Sequence, residues 1–193
     1  MSIFSIICTI ACQKTVLKEK TTSEVSNEII LTSEQKAKIK EDSRIEEAVK
    51  DRDVALIVSQ EQTIPGNRVV MTFYLANNPG LLAMSGIVFY DESCITLENV
   101  QLGDDFKGIL DFDYPKSLKS GCELLWSSEK IEKNQICDGV ILKLEFSVQK
   151  NLQEEKIPIT FVPDKEGVCD DNLLPINLLV NNGWINVLKK QDP

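Results

Sequence analysis

Residues 139–148, GVILKLEFSV, put Val140, Leu142, Leu144, Phe146 and Val148 on one parity and Lys143, Glu145 and Ser147 on the other. Side chains two apart share a face of an extended chain, so this pattern predicts a long strand with one side in a core. Val69, Met71, Phe73 and Leu75 repeat it within RVVMTFYLA, residues 68–76. Further runs have strand character: VALIVS (54–59), MSGIVFY (84–90), ITLENV (95–100), ELLWSS (123–128), IPITFV (157–162), LLPINLLV (173–180) and GWINVL (183–188). Turn-forming clusters separate them, at Pro65-Gly66-Asn67, Asn77-Asn78-Pro79-Gly80, Asp138-Gly139 and Asn181-Asn182-Gly183. About nine short strands with no convincing helix among them predict an all-β domain, a two-sheet antiparallel β-sandwich over residues 54–188. Residues 189–193 form a short tail.

One run is apolar on both faces. In SGIVFYD, residues 85–91, Gly86, Val88 and Tyr90 share one parity, and Ser85, Ile87 and Phe89 share the other. A surface strand ordinarily reserves one face for water, so the second face requires an explanation. The residues leave both registers open.

The chain before residue 54 has a different character. Residues 1–12, MSIFSIICTIAC, are apolar and uncharged, yet too few to span a bilayer, which takes about 20 residues. They read as the end of a secretory signal. Thr9-Ile10-Ala11-Cys12 resembles a bacterial lipobox with Thr9 in place of the usual Leu, which makes Cys12 the candidate lipid attachment site and the membrane a candidate anchor. Residues 13–53 contain no aromatic side chain and read as a polar tether. Within it, Thr32-Ser33-Glu34-Gln35 has capping-box spacing, and Ala37, Ile39, Ile45, Ala48 and Val49 give a weak helical stripe. These predict a marginal helix over 33–50, outside the main fold.

Composition narrows the function. The formal net charge is −9, and residues 54–193 carry most of it, with 12 basic and 20 acidic side chains. That sign repels phosphate backbones, and no basic cluster is interleaved with aromatics, so no nucleic-acid partner is expected. The chain has no histidine. The commonest general base and the Ser-His and Cys-His nucleophile pairs are therefore missing, which argues against an enzyme. Asp104-Asp105, Asp111 with Asp113, and Asp170-Asp171 lack the shaped loop that gathers six to eight oxygens around calcium. No metal and no cofactor are expected.

Taken in order, the strands and turns resemble a cohesin domain. The matching stretches are RVVMTFYLANNPGL, the strand ending in Tyr90-Asp91, ITLENV, Gly139-Val140 opening the long alternating strand, and the closing Asn182-Gly183-Trp184-Ile185-Asn186-Val187. The resemblance covers residues 54–188. It implies a nine-stranded jelly roll that binds a dockerin module on one sheet face, with calcium carried by the partner. It also implies that the Tyr of the YD pair points into the core. Ser85, Ile87 and Phe89 would then face outward, giving an apolar contact patch. Gly86 departs from the large apolar residue usual in the family. The same sheet is expected to hold ELLWSS, GVILKLEFSV and LLPINLLV, adding Ile141, Lys143, Glu145 and Ser147 to the partner-binding face. Which parity of ELLWSS faces out is open.

Cys94, Cys122, Cys137 and Cys169 allow three disulfide pairings in an exported protein, or none. Neighbouring antiparallel strands favour Cys94 with Cys137. The expected function is a non-catalytic scaffold module, monomeric when free, secreted or anchored to the cell surface, that captures dockerin-bearing proteins in extracellular polysaccharide degradation. The alternatives are a carbohydrate-binding sandwich, which needs a planar row of exposed aromatics, and a generic envelope adhesion domain.

Overall fold

The computed structural model describes residues 28–51, 53–118, 120–153 and 155–189, so the 1–12 segment with Cys12 lies outside them. The strands are β1 (Ala55–Val58), β2 (Gln60–Thr63), β3 (Arg68–Ala76), β4 (Leu81–Phe89), β5 (Ile95–Leu102) and β6 (Asp111–Leu118). Then come β7 (Gly121–Ser127), β8 (Gly139–Val148), β9 (Glu155–Pro163), β10 (Cys169–Asp170), β11 (Leu179–Asn181) and β12 (Gly183–Val187). Sheet I runs β11-β1-β3-β8-β5; sheet II runs β2-β12-β9-β4-β7-β6, with the short β10 beside β4. The all-β two-sheet sandwich expected from the alternation is the observed architecture.

The two predicted inward rows meet in the middle. Met71, Phe73 and Leu75 of β3 and Leu142, Leu144 and Phe146 of β8 are all fully buried. From sheet II, Val88, Leu124, Trp126, Ile159 and Phe161 close on them. Removing such side chains from water contributes about 1.5–3 kcal/mol each. Tyr90 packs edge-on against Phe146 at 5.1 Å between ring centroids, and Trp126 lies 6.1 Å from Phe161. The Trp126 Nε1–H is buried without a hydrogen-bond partner, a local cost of about 1–3 kcal/mol that the ring's packing must offset.

The chain crosses between the sheets twice, from β1 to β2 and from β11 to β12. β1 pairs in parallel with β11 in sheet I, whereas β2 pairs in parallel with β12 in sheet II. A Cβ at Gly183 would stand 2.0 Å from the Ser59 carbonyl oxygen, so only glycine lets the closing strand pass this close to the opening one.

Several expectations need correction. The single helix outside the fold is two helices, α1 (Ser33–Lys40), which buries no residue, and α2 (Ser43–Asp51), which packs on β1 and β3 of sheet I. α1 starts at the expected capping box, with Gln35 N donating to Thr32 Oγ1 and Thr32 N to Gln35 Oε1. α2 places Ile45 and Ala48 on Ala55, Ile57, Tyr74 and Ala76. This explains why all four residues of β1 are buried: its second face is covered by the N-terminal segment. LLPINLLV is a strand only at its end, in β11, which belongs to sheet I. β6 was not predicted.

The Cys94–Cys137 pairing is excluded by direction. Cys94 precedes β5 and Cys137 precedes β8, and these strands are antiparallel, with Ile95 opposite Val148 and Leu102 opposite Leu142. Two residues that each precede an antiparallel neighbour sit at opposite ends of the pair. The 10 residues of β8 therefore separate them, about 30 Å at strand rise, against the roughly 7 Å between Cα atoms that a disulfide spans at most. Cys94, Cys122, Cys137 and Cys169 are all free thiols.

Candidate functional site

The outer face of sheet II is made by alternate residues of four strands, β9, β4, β7 and β6. On β4, Gly86 and Val88 point inward with Tyr90 beyond them, so the register that turns Ser85, Ile87 and Phe89 outward is the observed one. The register survives the missing side chain at Gly86 because another residue fills the space. A Cβ there would meet the Phe161 ring at 2.4 Å, and Phe161 itself is 2% exposed. The space that a side chain at position 86 would take is filled by a ring reaching across from β9.

Ile87 is half-buried and Phe89 is 43% exposed. The cross-strand neighbours of Ile87 are Val162 of β9 and Glu123 of β7; those of Phe89 are Thr160 and Gly121. Val162 is 49% exposed, so Val162, Ile87 and Phe89 form a continuous apolar stripe over two strands. Leu125, opposite Ser85, extends it, and Asp113 of β6 lies opposite Leu125. Glu123, Asp111 and Asp113 are exposed and give the β7–β6 side a negative rim. Tyr114 is exposed and stacks on Phe112 at 6.1 Å. Ser85 is less available than expected, because the backbone at Gly167 lies against its Oγ.

Neither Val162 nor the acidic rim was anticipated. Val162 had a signal, since Ile157, Ile159 and Phe161 alternate as an inward row and leave it outward. The rim residues of β6 had none: DFDYPKSL carries proline and charges and no clean alternation.

The other predicted site residues are not part of this face. Ile141, Lys143, Glu145 and Ser147 belong to β8, which is the inner neighbour of β3 in sheet I, on the opposite side of the sandwich. Alternation identifies the buried side of a strand but not the sheet that holds it. Ile141 is also buried in the main core, because the β3–β8 register shifts by one between Phe73 and Tyr74. Lys143 points outward from sheet I yet is 1% exposed. Its Nζ donates to Asp104 Oδ2 at 2.6 Å and to the Ile29 carbonyl at 3.1 Å. Lys107 and Lys143, bonded to the same carboxyl, hold Asp104 below the ordinary carboxyl range. Glu145 pairs with Arg68 at 3.2 Å, and Ser147 donates to Glu98. These groups serve sheet I itself.

The aromatic platform needed for sugar stacking is not formed by the two tryptophans. Trp126 is in the core, and the Trp184 ring is capped by the Lys156 ammonium at 3.4 Å. Burial raises the Cys122 thiol to about 11, which keeps it neutral and inert.

No model of a known protein family and no curated protein matches the chain. Solved structures do. A type I cohesin–dockerin complex from Clostridium thermocellum is similar with a TM-score of 0.62 at 21% identity, over 72% of this chain and 95% of that one. The seventh ScaB type I cohesin from Pseudobacteroides cellulosolvens gives 0.62 at 18% identity, over 72% and 95%. A non-cellulosomal cohesin from the hyperthermophilic archaeon Archaeoglobus fulgidus gives 0.60 at 16% identity, over 72% and 94%. The sandwich therefore has the cohesin fold.

Proposed function

We propose that this protein, a cohesin-fold module, is a non-catalytic receptor that captures a dockerin-bearing protein on the outer face of sheet II. The observation that carries the reading is the stripe of Val162, Ile87 and Phe89 on the outward side of a sheet whose inner side is packed into the core. Apolar residues held on a rigid strand surface lose little entropy on contact, and the charged rim sets orientation rather than affinity. The chemistry asks for a partner with an apolar helix or loop surface and basic groups placed to meet Glu123, Asp111 and Asp113.

Display at the cell surface through lipidated Cys12, and a role in polysaccharide degradation, belong to the same proposal. They rest on the lipobox-like Thr9-Ile10-Ala11-Cys12 and on the cohesins whose fold is shared. Carbohydrate binding is the weaker reading, because the two tryptophans are respectively buried and capped.

The test is titration of the intact chain with a panel of calcium-loaded dockerins from the same organism. One or more should bind in a calcium-dependent, saturable manner. Failure of every dockerin to bind, with the domain folded, would remove the proposal.

A further inference from the structure

At its β1 end the outer face of sheet I is apolar, and it is already occupied. Ala55, Ile57 and Ala76 present small or branched side chains on which α2 lays Ile45 and Ala48. Ile29 and Leu31, ahead of α1, are each 6% exposed. Polar contacts fasten this segment at points along sheet I and at the β2 edge of sheet II. Ile29 N donates to Gln101 Oε1 of β5 at 2.6 Å, and the Ile29 carbonyl accepts from Lys143 of β8. Arg44 Nη2 donates to the Val58 carbonyl of β1 at 2.9 Å. Asn77, beyond the end of β3, donates to the Ala48 carbonyl at 2.8 Å. Lys38 pairs with Glu61 of β2 at 2.7 Å, and Lys107 with Glu28 at 2.5 Å. A loose tether would not bury a lysine beneath its own backbone.

We propose that residues 28–51 are a built-in occupant of sheet I, a third layer that restricts the module to one working face and keeps copies of the chain apart. The chain enters this layer at Glu28, beside β5 on the sheet I side. Anything attached ahead of residue 28 therefore joins the molecule on the side away from sheet II, and a partner on sheet II is held facing outward. This last point rests on the sheet II reading. The occupancy and its effect on self-association do not.

The physical basis is burial. Without the layer, Ala55, Ile57, Ala76 and the Lys143 stem would face water together, and the same patch on a second copy is its simplest cover. The charges across the layer are matched: Glu28, Lys107, Asp104 and Lys143 form a chain of alternating sign.

The experiment compares the intact protein with Ile45→Asp/Ala48→Asp, which places carboxylates against Ala55 and Ile57, and with Glu47→Lys on the exposed side of α2. Ile45→Ser is a milder companion should the double variant unfold. In the native protein and Glu47→Lys, the amides of Ile29 and of residues 55–58 should be protected from hydrogen exchange, and sedimentation should give a monomer. In the double variant, protection over 28–51 should fall at least tenfold and a concentration-dependent dimer should appear. Affinity for any dockerin that binds the native chain should stay within twofold. Rapid exchange at Ile29 in the native protein, or a double variant that remains monomeric, would overturn the proposal. Loss of dockerin binding in the native chain alone would overturn only the sheet II reading, because exchange and sedimentation judge the layer without it.

Discussion

Alanine at position 86 provides a test in which two known effects have opposite signs. Glycine inside a strand ordinarily costs about 0.5–1 kcal/mol relative to alanine, so Gly86→Ala on backbone grounds alone should stabilise. The structure predicts the reverse. The added Cβ would lie 2.4 Å from Phe161 Cζ, 2.7 Å from its Cε2 and 2.7 Å from the Val162 carbonyl oxygen. The ring cannot swing away, since Trp126 and Phe73 stand against it at 6.1 and 6.3 Å between centroids. Overpacking of this kind costs about 1–3 kcal/mol, which leaves a net loss of about 1–2 kcal/mol. Urea unfolding followed by tryptophan emission should show the midpoint falling by about 0.5–1 M, with an unchanged slope. Pairing the change with Phe161→Leu should recover most of that loss, giving a coupling of about 1 kcal/mol or more. A Gly86→Ala protein as stable as the parent, or strict additivity with Phe161→Leu, would refute the claim that Phe161 fills the space left at β4.

Three further outcomes follow from the same geometry. Asp104 is held below its ordinary value of 3.8 by Lys107 and Lys143, so its contribution is fully present above that value and is lost as pH falls through the lowered one. Hydrogen exchange at Ile29 should thus be pH-insensitive beyond intrinsic chemistry down to about pH 4 and accelerate below it, and Asp104→Asn should abolish the transition. Iodoacetamide at pH 8 should leave Cys122 unmodified in the folded protein, since its thiol is raised to about 11; modification as fast as after unfolding would contradict its burial. Phe146→Ala should cost about 3–5 kcal/mol in denaturant titration, because a fully buried ring in contact with Tyr90 is lost.

The parts of this molecule legible in its sequence are those governed by a single local rule. The alternation in β3 and β8 gave two core rows directly, and the paired apolar parities of SGIVFYD signalled a strand with an exposed, greasy side. The rest depends on relations between elements. GVILKLEFSV reveals its inward residues but not its sheet, and that is why Lys143 and Glu145 were expected beside Phe89 and lie across the sandwich from it. A one-residue register shift turned Ile141 inward, and nothing in its neighbours marks the shift. The packing of the N-terminal segment was obscured by its polarity, since few of its apolar side chains carry the contact. Its one visible trace was in β1, where four consecutive apolar residues indicate burial on both faces. β6 was invisible because Pro115 and its charges obscure the strand signal.

The most direct measurement is calorimetric titration of the intact chain and of Ile87→Asp/Phe89→Asp with the dockerin that binds the native protein most tightly. Both substituted side chains face water from sheet II, so circular dichroism and the melting midpoint should remain near native. Affinity should drop by at least about 100-fold, as expected when charge is placed at the centre of an apolar contact. Binding at native strength by a folded Ile87→Asp/Phe89→Asp protein would show that the stripe on sheet II is not where the partner is held.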